Sequence, residues 1–284
     1  MPANGNTNPV YKLTDAPSVE PYPPPEVGRR RVIVSIPCYS GEPSHITQSS
    51  FLRTRDLANS LGIMVDINMR VSDSSITRAR DIMFSEFLDR WPEATDMVFI
   101  DADIGWEAEG FIRLISHPVD LVGGAYRSRG DPEVYVLRSL DNELQRDPKT
   151  GLMAVEGVPT GFMRITRRAA VKMAEAYKND WYTDPTAPGL TIRQLFTFEV
   201  RDNRLYSEDY NFCRRWREIG GTCWVDPEQT LHHVGKKVFS GNLMRWLESN
   251  APKIPDHVPV GAAAAHFANP AKLSPIDTAK ALLT

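Results

Sequence analysis

The sequence predicts an α/β protein with a mostly parallel central sheet flanked by helices. Short β-branched runs alternate with helical patterns from residue 31 to about residue 125. The 284 residues carry a 42% hydrophobic share, which suits one large core. Chemically capable side chains follow the apolar runs, where an open α/β sheet presents its ligands.

Residues 1–30, with "PYPPPEVGRR", are rich in Pro, Asn and Gly and read as a flexible N-terminal arm. "RVIVSIPCYSG" reads as a buried first strand that ends at Pro37 and Gly41. "HITQSSFLRTRDLANSL" spaces its apolar residues as a helix, and "GIMVDINMRV" forms the second strand. "DSSITRARDIMFSEFLDRW" is the next helix, with Asp73 or Ser74 as its N-cap. "DMVFIDAD" is the third strand, "WEAEGFIRLIS" a helix, and "VDLVGGAYRSR" a fourth strand entering a loop. Beyond it, "ELQRDPKTGLMAVEGVPTGFMRITRRAAVKMAEAY" reads as a hairpin, a Gly turn, a short strand and a helix. "SEDYNFCRRWREIGG" is a helix closed by Gly220–Gly221, and "TCWVDPEQTLHHVG" a last short strand and loop. The expected organisation is one catalytic domain over 31–250 and a C-terminal tail over 251–284 with one weak helix.

The bulk numbers exclude several classes. The net charge is −3, so no global basic field draws the chain to nucleic acid, although local patches stay open. Cys38, Cys213 and Cys223 are an odd set without CxxC spacing and read as reduced thiols in an intracellular protein. "MPANGNTNPVYKL" has no apolar h-region, so no secretory leader is expected. No run approaches ~18 consecutive apolar residues, so no membrane span is expected. A cytoplasmic location follows, the host cytoplasm if the source is a virus.

Asp101 and Asp103 leave the third strand with Ala102 between them. Carboxylates spaced i, i+2 on an extended segment can reach one hard cation, and Mg²⁺ or Mn²⁺ pairs such ligands with phosphate oxygens. A turn or capping role is the alternative. Glu208 and Asp209 open a helix, where the macrodipole alone favours them; Asp209 also suits a general base. In "LHHVGKK", His232 and His233 point opposite ways on an extended segment, so one at most joins a site. Lys236 and Lys237 beside them suit phosphates or a solvated face. Arg78 and Arg80 in "ITRARD", and Arg127 and Arg129 in "GGAYRSRG", suit diphosphates or salt bridges. Gly161 in "PTGFM" permits a close backbone approach or a tight turn.

The order of these segments resembles the GT-A nucleotide-sugar glycosyltransferases, family-two-like, over about residues 31–235. The strand-borne DAD followed by "SEDYNFCRRWREIGG" is the most specific part. The resemblance implies a GT-A fold and a nucleotide-sugar donor, most often a UDP-sugar. It implies that Asp101, Ala102 and Asp103 form the DxD unit, with Mn²⁺ or Mg²⁺ held by Asp101, Asp103 and His233. Pro37, Cys38 and Tyr39 would line the nucleoside pocket. Asp73 and Arg78 would contact base, ribose or diphosphate, and Gly161 and Phe162 would line donor or acceptor sugar. Asp209 would be the base of an inverting transfer, with Glu208 beside it. The chain lacks membrane spans and a QxxRW motif, so transfer of a single sugar fits better than processive polymer synthesis. The acceptor is open: a glycan, a protein, a small molecule, or a hydroxymethylated base in viral DNA. A nucleotidyltransferase fits poorly, because "PCYSGEPSHITQSS" has one Gly and no Lys to grip a triphosphate. A nucleotide-binding module without catalysis is the further alternative.

Overall fold

The computed structural model describes residues 12–15, 30–138, 143–235 and 237–250. The first half runs β1 (Lys12–Asp15), β2 (Arg31–Cys38), α1 (His45–Ser60), β3 (Met64–Val71), α2 (Ile76–Arg90), β4 (Asp96–Ile100), β5 (Ile104–Trp106), α3 (Ala108–Ser116) and β6 (Leu121–Gly124). The second runs β7 (Glu143–Arg146), β8 (Met153–Val155), β9 (Phe162–Thr166), α4 (Arg167–Ala176), β10 (Trp181–Tyr182), β11 (Ile192–Arg193), β12 (Glu199–Arg201) and β13 (Arg204–Tyr206). It closes with α5 (Glu208–Glu218), β14 (Cys223–Asp226), β15 (Thr230–Val234), β16 (Val238–Asn242) and α6 (Leu243–Asn250).

Nine strands form the central sheet in the order β1-β7-β8-β14-β6-β9-β4-β2-β3. β2 is parallel to β3 and β4, β9 is antiparallel to β4 and β6, and β14 is parallel to β6. β8 is antiparallel to β14 and β7, and β1 is parallel to β7. Seven strands therefore point one way, and only β8 and β9 are reversed. The expected α/β class with a mostly parallel sheet is what the chain adopts.

The central strands are buried on both sides, as parallel strands under helices are. Val98 and Ile100 of β4 face a core shared with α1 and α3, while Met97 and Phe99 face one shared with α2, α4 and α5. Three local expectations are corrected. Residues 12–15 of the expected arm form β1 at the sheet edge, because the β7 backbone offers it a partner. Ser75, not Asp73 or Ser74, caps α2; Asp73 instead accepts the Ser75 amide at 3.1 Å and pairs with two arginines. The stretch after Asp226 continues into β15, β16 and α6 rather than ending as a loop. The expected tail over 251–284 and the rest of the arm lie outside the described residues, and no described helix is long and apolar enough to cross a membrane.

Two buried carboxylates fasten this frame. Asp96, at the start of β4, accepts from Arg30 Nε at 3.0 Å and from Arg164 Nε at 2.7 Å. Arg164 Nη1 also donates to the carbonyls of His117 and Val119, so β4, β9 and the exit of α3 share one polar knot in the core. Asp81 on α2 accepts from the amides of Leu195 and Phe196 at 2.9 and 2.8 Å and from Tyr182 Oη at 3.3 Å, fixing the 180–198 segment against α2. Burial pushes the Asp81 carboxyl up to about 7, against the pull of those donors.

Asp96→Ala removes the carboxylate that two buried guanidinium groups share, and urea denaturation should show about 3–5 kcal/mol of lost stability. Asp81 holds its proton to about pH 7 when folded, whereas an unfolded aspartate releases it near pH ~3.9. The native state therefore binds more protons between these values, and this contribution to stability falls as pH rises through the window. Asp81→Asn cannot ionise and keeps the same acceptor. Its melting temperature should exceed the wild-type value above pH ~7 and converge with it toward pH ~4, in scans across that range.

Candidate functional site

The carboxyl end of β4 is pinned from three sides. The Asp101 amide donates to the Gly161 carbonyl at 3.1 Å, joining it to the turn before β9. The Ala102 carbonyl accepts from Ser44 N at 2.7 Å and from Thr47 Oγ1 at 3.0 Å, at the start of α1. The Asp103 carbonyl accepts from Val234 N at 2.8 Å, at the end of β15. The chain then enters β5, which pairs with β15 so that His233 lies opposite Ile104. Gly105 permits this: a Cβ there would stand 2.2 Å from Ile46 of α1. Sheet pairing thus carries His233 across 130 residues of sequence to Asp103.

The two aspartates have different partners. Asp101 Oδ1 accepts from Arg80 Nη2 at 2.9 Å, and the same guanidinium binds Glu208 through Nη1. Arg80 is 4% exposed and its Nε has no hydrogen-bond partner, so it is committed to this bridge between β4 and the start of α5. Burial raises the Asp101 and Glu208 carboxyls; Arg80 opposes the rise, and neighbouring carboxylates reinforce it. Asp103 Oδ2 accepts from Arg129 Nη1 at 3.0 Å and lies 3.6 Å from His233 Nε2. Burial works to raise Asp103 as well, but His233 and Arg129 outweigh it and hold the carboxyl below its usual value.

His233 Nδ1 is 2.9 Å from the Arg127 carbonyl, which can only accept, so Nδ1 carries a proton. The other nitrogen, Nε2, then faces Asp103 with either a second proton or a lone pair. A lone pair beside a carboxylate is favourable only with a cation between them, and a backbone-anchored Nδ1–H is the usual support of a metal-binding imidazole. Asp103 and His233 thus stand close enough to share one cation, while Arg129 is the present partner of the Asp103 Oδ2 that faces the ring. Asp101 does not complete the set: its carboxylate faces Arg80, and among the described residues no group of three His, Cys, Asp or Glu is arranged around a metal. His232 points away, with Nδ1 at 2.8 Å from Ser240 Oγ and Nε2 at 3.3 Å from Glu107.

Asp209 is half-buried at the start of α5. Its Oδ1 accepts from Ser207 Oγ and from the Tyr210 amide, while Oδ2 makes no hydrogen bond among the described residues. Glu208 is buried against Arg80. Pro37 and Cys38 end β2 with buried side chains, and Tyr39 beyond them is 70% exposed. Asp73 accepts from Arg70 Nε at 2.8 Å and from Arg78 Nη2 at 2.8 Å, so Arg78 is already paired. Gly161 is covered by Tyr126, whose ring would lie 2.6 Å from a Cβ there. Phe162 is fully buried, with its ring 6.1 Å from that of Trp106, so only its backbone can line a ligand. Sequence reasoning did not single out Tyr126, and it assigned Arg78 rather than Arg80 to the site. Two residues apart on a helix point about 200° apart, but which one faces the sheet depends on packing. Lys236 lies outside the described residues.

No protein-family model matches the chain, and no curated protein matches it. Among the solved structures similar to it are the following two. The protein A197 from STIV shares 14% identity with a TM-score of 0.47, over 80% of this chain and 100% of that one. A glycosyltransferase involved in the glycosylation of the major capsid of PBCV-1 shares 12% identity with a TM-score of 0.30, over 56% of this chain and 79% of that one. Superpositions this loose carry no argument about activity, which has to be read from the chain's own residues.

Gly161→Ala would drive a methyl group into the Tyr126 ring and disturb the amide bond that holds Asp101. A lower melting temperature is expected, by an amount typical of overpacking, about 1–3 kcal/mol in chemical denaturation. Tyr126→Ala in the same background should recover part of that loss, which isolates the clash as its cause.

Proposed function

We propose that this protein is a glycosyltransferase-like enzyme that moves a single sugar from a nucleotide-sugar, a UDP-sugar by preference, to a hydroxyl acceptor. The observation that carries the reading is the meeting, at the carboxyl end of β4, of Asp101 and Asp103 with His233 and with the Glu208–Asp209 start of α5. This is the switch-point region where an open α/β sheet binds ligands.

Asp103 and His233 would hold Mn²⁺ or Mg²⁺, with Asp101 joining them through Oδ2, the oxygen that Arg80 does not take. A bound divalent cation supplies charge compensation for a leaving diphosphate. Arg80 and Arg129 stand beside the two aspartates and add positive charge on the same side. The free Oδ2 of Asp209 takes the proton of the acceptor hydroxyl, while Ser207 and the Tyr210 amide hold its Oδ1 in place. Attack opposite the leaving group would invert the anomeric centre.

Charge distribution bears on the acceptor. Arg31 pairs with Asp66 and Glu93, Arg127 and Lys237 with Asp131, and Arg168 with Asp120. Arg30 is buried on Asp96, and Arg167 donates to the carbonyls of Phe87, Trp91 and Ala94. These described members of the basic segments thus have internal partners, which favours a glycan, protein or small-molecule acceptor over modified DNA.

The test is a thermal-shift panel of UDP, GDP, CMP and dTDP, each with and without Mn²⁺, on wild type and on Asp101→Ala/Asp103→Ala. One nucleotide at about 100-fold over its Kd should raise the melting temperature by roughly 5 °C. The shift should depend on Mn²⁺ and vanish in the double variant. No shift with any nucleotide would overturn the reading.

A further inference from the structure

The 180–198 segment and α2 line an open cavity of about 460 Å³, and of the residues assigned to donor or metal only Arg78 is in its wall. Its walls include Arg78, Asp81, Tyr182, Gln194, Thr197 and Phe198. We propose that this cavity is the acceptor subsite and that it takes a neutral, polyhydroxylated ring, a sugar. The acceptor role rests on the glycosyltransferase reading above; the ligand chemistry rests on the cavity alone.

Charge decides against an anion. Arg78 is the only cation in the wall, and Asp73 already accepts from its Nε and Nη2, with Asp184 3.7 Å from its Nη1. Asp81 adds a further carboxyl behind it. With Asp73 on its Nε and Nη2 and Asp184 near its Nη1, the Arg78 charge is already matched, which leaves little attraction for a diphosphate or a nucleic-acid backbone.

Shape and hydrogen bonding favour a sugar. Phe198 is 55% exposed, and Tyr182 is held half-buried by its bond to Asp81, so two aromatic faces are available to cover the C–H face of a pyranose. Thr197 Oγ1 accepts from Asn211 Nδ2 at 2.6 Å, which leaves its own proton to donate into the cavity. The exposed Gln194 amide offers both a donor and an acceptor to neighbouring hydroxyls.

Position ties the cavity to the transfer site. Asp81 follows Arg80 on α2, and Arg80 holds Glu208. Asn211, which holds Thr197, lies two residues beyond Asp209 on α5. The β12–β13 hairpin joins Phe198 directly to Ser207 and Asp209. A sugar in the cavity therefore sits against α2, which carries Arg80, and against the segment that leads into α5 and the proposed base.

Saturation-transfer NMR on the full chain without nucleotide is the test, with the methyl β-pyranosides of glucose, galactose, mannose and N-acetylglucosamine as probes and uridine and inorganic phosphate as controls. At least one glycoside should bind. Its affinity should fall about tenfold or more in Phe198→Ala and in Gln194→Ala, two exposed positions whose loss should leave the melting temperature near wild type. Binding should persist in Asp101→Ala/Asp103→Ala, so a failed nucleotide test and a failed cavity are distinguishable. The proposal is overturned if no glycoside binds, if binding ignores both cavity variants, or if uridine or phosphate displaces the glycoside.

Discussion

One buried guanidinium organises the functional end of this molecule. Arg80 leaves α2 inside the protein and joins Asp101, at the exit of β4, to Glu208, at the start of α5. Without it two carboxylates would face one another in a poorly solvated place, and each would have to protonate or move apart. With it, the strand that delivers Asp103 and the helix that delivers Asp209 are held in one register. The cost of burying a cation is offset twice, once by each carboxylate, and this gives the arrangement its directionality.

The second constraint is sheet pairing outside the main sheet. β5 is three residues long, yet its ladder with β15 places His233 against Asp103, and β16 covers the outer side of β15. The imidazole is oriented by a backbone carbonyl rather than by another side chain. A carbonyl cannot titrate or rotate away, so the ring presents Nε2 to the aspartate for as long as the ladder holds. The site is therefore built from rigid elements at four separate points of the chain, as chemistry that needs ångström precision requires.

Arginines make the proposed diphosphate site compatible with a chain of net charge −3. Those of the periphery are matched locally by carboxylates, so their fields cancel within a few ångströms. Those at the β4 exit lie beside carboxylates that a divalent cation would also seek. In the cavity beside α2 the one wall arginine, Arg78, is likewise paired, with Asp73 and at 3.7 Å with Asp184.

Much of the frame was legible in the residues. The β-branched run ending at Pro37 and the apolar run ending at Asp101 became β2 and β4, because a parallel strand buried on both sides needs apolar residues at every position. Gly220 closes α5 at φ +85°, a conformation that only a residue without Cβ adopts freely. β1 and the β15–β16 ladder were not legible, because their stability comes from partners remote in sequence. The same holds for the site. Asp101, Asp103, Asp209 and His233 were chosen by type and spacing, but type and spacing cannot say which carboxylate a buried arginine will claim. Arg78 and Arg80 have equal chemistry in sequence. Packing of α2 turned one into the core and left the other half-exposed on Asp73, and it set Phe162 in the core and Tyr126 over Gly161. The sequence by itself determined the main strands and helices of residues 31–125 and the reactive groups, since local periodicity and residue chemistry suffice for those. The tertiary structure alone decided which groups meet, because contacts between distant segments depend on sheet register and side-chain volume that no local pattern records.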